Sequence, residues 1–145
     1  MTYPTEITMP FADGDYRFFL PIPQMIELER VGHTMCSLEF RLRESIGLTL
    51  DGEAIYGGGN AVEAESIRKI IRLALIGGDS GTVDGEKVDV GPQRARELVD
   101  AYVYPARPLA EGAALAWRIL ATAIYGNEPN PVEAEQVSEE EQADG

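Results

Sequence analysis

Residues 60–78 read NAVEAESIRKIIRLALIGG. Within them Ile67, Ile70, Ile71, Ala74 and Leu75 fall at i, i+3, i+4, i+7 and i+8, the spacing that places every apolar side chain on one face of a 3.6-residue helix. Asn60 and Glu63 stand three apart ahead of that run, a capping-box spacing, and Gly77-Gly78 supply a stop. A helix with an apolar stripe must bury it against something, so the rest of the chain is read for what covers this face.

Toward the C-terminus the same period recurs twice. A polar link holding Asp84-Gly85, Val88 and Val90 leads to Gly91-Pro92, with the proline suited to a first helical turn. Ala95, Leu98, Val99, Tyr102 and Val103 then repeat the helical spacing as far as Pro105. A last helix is expected over 108–125, burying Leu109, Ala113, Ala116, Trp117, Leu120 and Ile124 and ending at Gly126.

Toward the N-terminus the period changes. Ile7, Met9 and Phe11 alternate with Thr8 and Pro10, Ala12-Asp13-Gly14-Asp15 carries turn chemistry, and residues 16–20 return as a second strand. Pro10 confines its strand to an edge. A short helix opens near Pro23, runs through Met25, Ile26, Leu28 and Val31, and ends at Gly32. Residues 37–46 fit both periods: Leu38, Phe40 and Leu42 alternate, while Leu38, Leu42 and Ile46 recur every four. Their Arg and Glu content favours helix, closed by Gly47. Residues 48–60, with Asp51-Gly52 and the triplet Gly57-Gly58-Gly59, read as a hairpin or loop. The expected class is mainly α within α+β: a small helical domain over 1–127 with an N-terminal β-hairpin, followed by an acidic C-terminal tail.

That tail, residues 128–145, holds seven of the chain's 25 acidic residues and none of its 12 basic ones. With two valines as its only large apolar residues it has too little to bury, and disorder is expected. A net charge of -13 without a visible basic face disfavours nucleic acid. The opening residues lack a basic and apolar leader pattern, and the most apolar stretch, 113–125, is interrupted by Arg118, so a cytoplasmic protein away from membranes is expected.

Chemistry-bearing residues are sparse. Cys36 and His33 are the only cysteine and histidine, which leaves no disulfide, thiolate zinc site or Ser-His-Asp set to build. The glycine triplet is not followed by Gly-Lys-Ser/Thr or embedded in a dinucleotide fingerprint, so it reads as a connector. Glu27 and Glu29 sit two apart on a helix and face different ways. Arg68, Lys69 and Arg72 form the densest basic group, a solvated helix face first and a contact for an acidic partner second. No catalytic residue, cofactor or metal is assigned.

The ordered motifs resemble the small tail assembly chaperone family of tailed phages and gene transfer agents. That family has a helix ending in Leu-Ile-Gly-Gly, a second ending near Tyr-Val and a third closing on an aromatic-Gly-x-Glu-Pro stop. Here those positions are Leu75-Ile76-Gly77-Gly78, Tyr102-Val103 and Tyr125-Gly126-Asn127-Glu128-Pro129. The opening GDYRFFL and the later MIELERVG resemble the family's start, so the likeness covers about residues 12–129. It departs at residues 48–59, which carry a loop of this chain's own, and at Gly91, where a threonine cap is more usual.

The resemblance implies a non-enzymatic chaperone that keeps the tape measure protein soluble and helps recruit tail tube protein, in the cytoplasm of a host or producer cell; homo-oligomerisation is compatible with it. The alternative is a structural minor tail or tail tube component retained in the particle, against which the long helical periods argue. For partner binding the first candidates are Phe18 and Phe19, which as neighbours on a strand point to opposite faces, so that either one meets a partner or a helix covers both. Arg68 and Arg72 come next.

Overall fold

In the computed structural model, which describes residues 4–30, 32–48, 54–56 and 61–127, the central helix is α3 (Ala64–Gly78). Its stripe is as expected: Ile67, Ile70, Ile71, Ala74 and Leu75 are fully buried. Leu73, off that stripe, is buried as well. One face is therefore not enough to describe α3, and the reason lies in the elements around it.

The N-terminal hairpin pairs β1 (Glu6–Phe11) with β2 (Gly14–Phe19), in register from Glu6↔Phe19 to Phe11↔Gly14. The turn is tighter than the four residues 12–15 suggest, with only Ala12 and Asp13 outside the strands and Ala12 at a φ of 56°. After α3 come β5 (Gly81–Val83) and β6 (Glu86–Val88), joined by Asp84 and Gly85 at φ 52° and 80°. Two consecutive left-handed residues match the twist of flanking strands, so the segment read as a polar link is a second hairpin. The four strands form one antiparallel sheet in the order β1-β2-β5-β6, with Pro10 on an outer strand as its missing N–H requires.

The remaining helices are α1 (Ile22–Glu29), α2 (Met35–Ser45), α4 (Pro92–Tyr102) and α5 (Leu109–Tyr125). For residues 37–46 the helical period wins: Leu38 and Leu42 are buried while Phe40 is 48% exposed, and a strand would have put all three on one face. Thr34 caps α2, its hydroxyl accepting from the Ser37 N–H at 3.0 Å. Gly47 does not close this helix. The backbone turns extended at Ile46, and Gly47 lies inside β3 (Ile46–Leu48), which pairs antiparallel with β4 (Ala54–Tyr56). Val31, Asp51-Gly52, the triplet Gly57-Gly58-Gly59, Asn60 and the tail 128–145 lie outside the described residues.

Both ends of α3 differ from the expectation. The helix begins at Ala64, with Glu63 as its cap residue, and the Glu63 side chain makes no capping bond. It meets the Arg41 guanidinium on α2 at 3.2 Å and accepts from the Ser66 hydroxyl at 3.4 Å, and a bond from its own backbone N–H, with Arg41 second, holds its carboxyl below the ordinary range. At the other end Gly77 and Gly78 are helical, and the left-handed cap is Asp79 at φ 50°, its N–H bonded to the Leu75 carbonyl at 2.9 Å. The glycines serve a close approach. A Cβ on Gly77 would run into the Phe19 carbonyl oxygen, and one on Gly78 into the Arg17 carbonyl oxygen. Strand β2 pairs with β5 only at Asp15 and Tyr16, and the rest of that edge is met by the Ser80 carbonyl, which accepts from Arg17 N–H at 3.0 Å, and by this glycine end of α3.

Helix α5 covers α3 from another side. Its buried set is Gly112, Ala113, Ala116, Ile119, Leu120 and Thr122, whereas Leu109, Trp117 and Ile124 are only partly covered. The buried arc is rotated from the expected one because Gly112 lets α5 sit close to α3: a Cβ there would lie 3.3 Å from Ile67 Cγ2 and 3.2 Å from Val103 Cγ1. Trp117 is thus at the margin of the core, not its centre.

An alanine in an open helix gains about 0.5–1 kcal/mol over glycine. At Gly78 the sign should invert: Gly78→Ala is expected to lower unfolding stability by about 1–3 kcal/mol, the usual cost of overpacking, read from the shift of a denaturant midpoint.

Candidate functional site

The hairpin tip is where the sheet meets the ends of two helices. Tyr16, Phe18 and Leu20 alternate inward along and just past β2, while Arg17 and Phe19 face the other way. Phe18 is 1% exposed and packs edge-on against Phe11 at 5.7 Å between centroids, so it belongs to the core. Phe19 is half-buried, with the Arg17 guanidinium 5.3 Å over its ring. Arg17 is itself bound by Glu6, through Nε at 2.8 Å, and by the Gly78 carbonyl at 3.0 Å. The opposite-face geometry expected of this pair is present, but the outward ring is partly screened by its neighbour.

The hairpin residue that reaches a cavity is Phe11. Its ring meets Tyr102, the last residue of α4, at 6.3 Å. Phe11, Tyr102, Val103 and Leu115 give an apolar floor to a groove of about 420 Å³ between the hairpin tip, the end of α4 and the start of α5. Tyr102 is 40% exposed there. Arg107 and Glu111 form the rim through two bonds of 2.9 and 2.7 Å, and this contact holds the Glu111 carboxyl below its ordinary range and raises the Arg107 guanidinium. The tip is pinned to α4 from below. Tyr16 donates to Asp13 in the turn, and Arg94 of α4 reaches the other Asp13 oxygen at 3.1 Å. Burial pushes the Tyr16 hydroxyl up, and the bond to Asp13 adds to it.

Arg68 and Arg72 lie elsewhere, in a cleft of about 230 Å³ between α3 and α4 that they share with Lys69, Arg96, Val99 and the acidic Glu65 and Asp100. Arg68 is held by Asp100 and by the Tyr104 carbonyl. His33 and Cys36 do not converge on a common site: Cys36 is exposed on α2, and His33 borders a separate cavity with Glu63, Ser66 and Lys69. Among the described residues no group of three or more His, Cys, Asp or Glu side chains is placed to hold a metal ion, and no helix is long and apolar enough to cross a membrane.

Sequence reading weighs Tyr102 as a pocket residue but favours core packing for it, and gives Phe11 no site role; in the structure Tyr102 is 40% exposed and Phe11 is partly buried, both at the groove, each near the end of an apolar periodic run. The available signal was the proline-bounded stretch from 103 to 108, which tells that α4 stops and cannot cover its final turn. No protein-family model, curated protein or solved structure matches the chain.

Two outcomes follow from this geometry. Phe18→Ser should cost about 3–5 kcal/mol, as for emptying a buried aromatic site, whereas Phe19→Ser should cost clearly less in the same denaturant melts. In an NMR pH titration Glu111 should protonate below an unpaired glutamate, and Arg107→Gln should bring its midpoint back toward about 4.3. Because the folded value is the lowered one, whatever stability the pair adds is present above the unfolded pKa and is lost as pH falls through the folded one.

Proposed function

We propose that this chain is a non-enzymatic tail assembly chaperone of the phage and gene-transfer-agent type, which holds the tape measure protein soluble and helps recruit tail tube subunits. The observation that carries this reading beyond the sequence motifs is the groove at the hairpin tip, with its apolar floor of Phe11, Tyr102, Val103 and Leu115 and its charged rim. Such a groove suits the apolar stripe of an amphipathic partner helix, whose side chains one turn apart enter it while the rim meets its polar flank. A net charge of -13 supports the same role, since a strongly charged carrier keeps an apolar client from associating with other copies.

Co-expression with a tagged tape measure protein tests it. Tyr102→Ala removes an exposed aromatic anchor and should weaken capture by about 30-fold, the ~2 kcal/mol of an interface hot spot, with little change in the melting temperature. Undiminished capture would remove the groove from the interaction. Mass spectrometry of purified particles should find the chain absent or far below tube stoichiometry; a stoichiometric amount would make it a structural tail component.

A further inference from the structure

The chain holds 25 acidic and 12 basic residues, so a cation that forms no ion pair within 4.0 Å of a carboxylate stands out against that excess of acids. Arg17, Arg30, Arg41, Arg43, Arg68, Arg94 and Arg107 each have a carboxylate partner. Among the described residues Lys69, Arg72, Lys87, Arg96 and Arg118 have none, and three of these five, Lys69, Arg72 and Arg96, share the cleft between α3 and α4. With Arg68 they set four cations against Glu65 and Asp100, of which Asp100 is engaged by Arg68. Like charges gathered in one cleft repel each other, and an anion that enters relieves that repulsion.

The chain carries an anion of matching form. Residues 128–145 contain seven carboxylates and no basic group, with Glu139-Glu140-Glu141 consecutive. They follow Asn127, which is fixed at the end of α5 by its N–H to the Pro4 carbonyl at 2.6 Å and its side-chain amide to the Glu6 carbonyl at 3.2 Å. Helix α5, whose other end packs on α3 through Gly112 beside Ile67, is about 25 Å long at 1.5 Å per residue, which sets the scale of the distance the segment has to cover. An 18-residue segment reaches up to about 60 Å. A free acidic partner must approach a molecule of net charge -13, whereas an attached one acts at an effective concentration on the order of millimolar.

We propose that residues 128–145 dock their carboxylates in the α3–α4 cleft, against Lys69, Arg72 and Arg96. This inference is independent of the chaperone reading and of the groove. Paramagnetic relaxation on the full chain tests it, with a nitroxide on Ser138→Cys and the single native thiol removed by Cys36→Ser. At about 0.01 M salt, amide broadening should concentrate on residues 68–72 and 96–100. It should vanish at about 1 M, as the screening length falls from about 30 Å to about 3 Å. Arg72→Gln with Arg96→Gln should abolish it, and so should Glu139→Gln, Glu140→Gln and Glu141→Gln together. The second set leaves the cleft untouched and decides the matter if the first perturbs folding. Broadening that is absent, spread evenly over the surface or indifferent to the tail substitutions overturns the proposal. So does broadening in a mixture where label and isotope sit on different molecules, which would assign the cleft to the acidic segment of a second copy.

Discussion

The glycine end of α3 packs directly on the edge of β2 that faces β5. Helix and strand backbones touch there with no side chain between them, because Gly77 and Gly78 leave the Phe19 and Arg17 carbonyls room that any Cβ would occupy. This contact sets the distance between sheet and helix. It also places Ser80 to bond Arg17, so that the chain leaving α3 runs directly into β5 beside β2. Since β5 is short, the helix end does for residues 17–19 what a longer strand would have done, and the sheet edge is closed without further strands.

With α3 fixed against the sheet, the other helices have little freedom. Burial of Ile67, Ile70, Ile71 and Leu75, each worth roughly 1.5–3 kcal/mol when removed from water, requires cover on more than one side. Helices α1, α4 and α5 and strand β2 supply it. Gly112 does for the α3–α5 contact what Gly77 and Gly78 do for the sheet: a small residue admits close approach, and the buried arc of α5 turns accordingly. The groove at the hairpin tip is a consequence, because α4 ends at Tyr102 and α5 starts at Leu109, so neither extends over Phe11.

Much of this was legible in the sequence where one period ran long. The stripe of α3, the edge position of Pro10, the proline start of α4 and the Gly126 stop of α5 are local consequences of spacing and backbone chemistry, and they stand. Four features were not legible, and in each a distant group decides. Glu63 stands at the cap position itself and pairs with Arg41, 22 residues away in sequence, a partner that no local spacing announces. Gly77-Gly78 resemble a stop signal in every local respect, and only the strand lying against them shows that their purpose is contact. Gly47 reads locally as a helix end, whereas pairing with β4 holds it in a strand. Trp117 lies on the apolar stripe of α5, yet Gly112 rotates that stripe away from it. The second hairpin is a different case: Asp84-Gly85 is a strong local turn signal, but its strands of three residues are too short to show alternation.

The candidate surfaces divide along the same line. Phe18 and Phe19 were distinguishable in principle from strand alternation alone, and the structure puts the first in the core and the second beside Arg17. Which arginines are engaged is a property of the folded surface and has no sequence signature: Arg68 and Arg72 stand one turn apart on α3, yet Arg68 meets Asp100 of α4 while Arg72 does not. Exposed ion pairs contribute little to stability, so the distribution of pairs is not what holds the helices in place. It follows that apolar packing fixes the helices first and charge is distributed over the result. The cleft where Lys69, Arg72 and Arg96 gather without ion pairs beside the paired Arg68, on a chain with twice as many acids as bases, is therefore a feature of the surface and not of the packing beneath it.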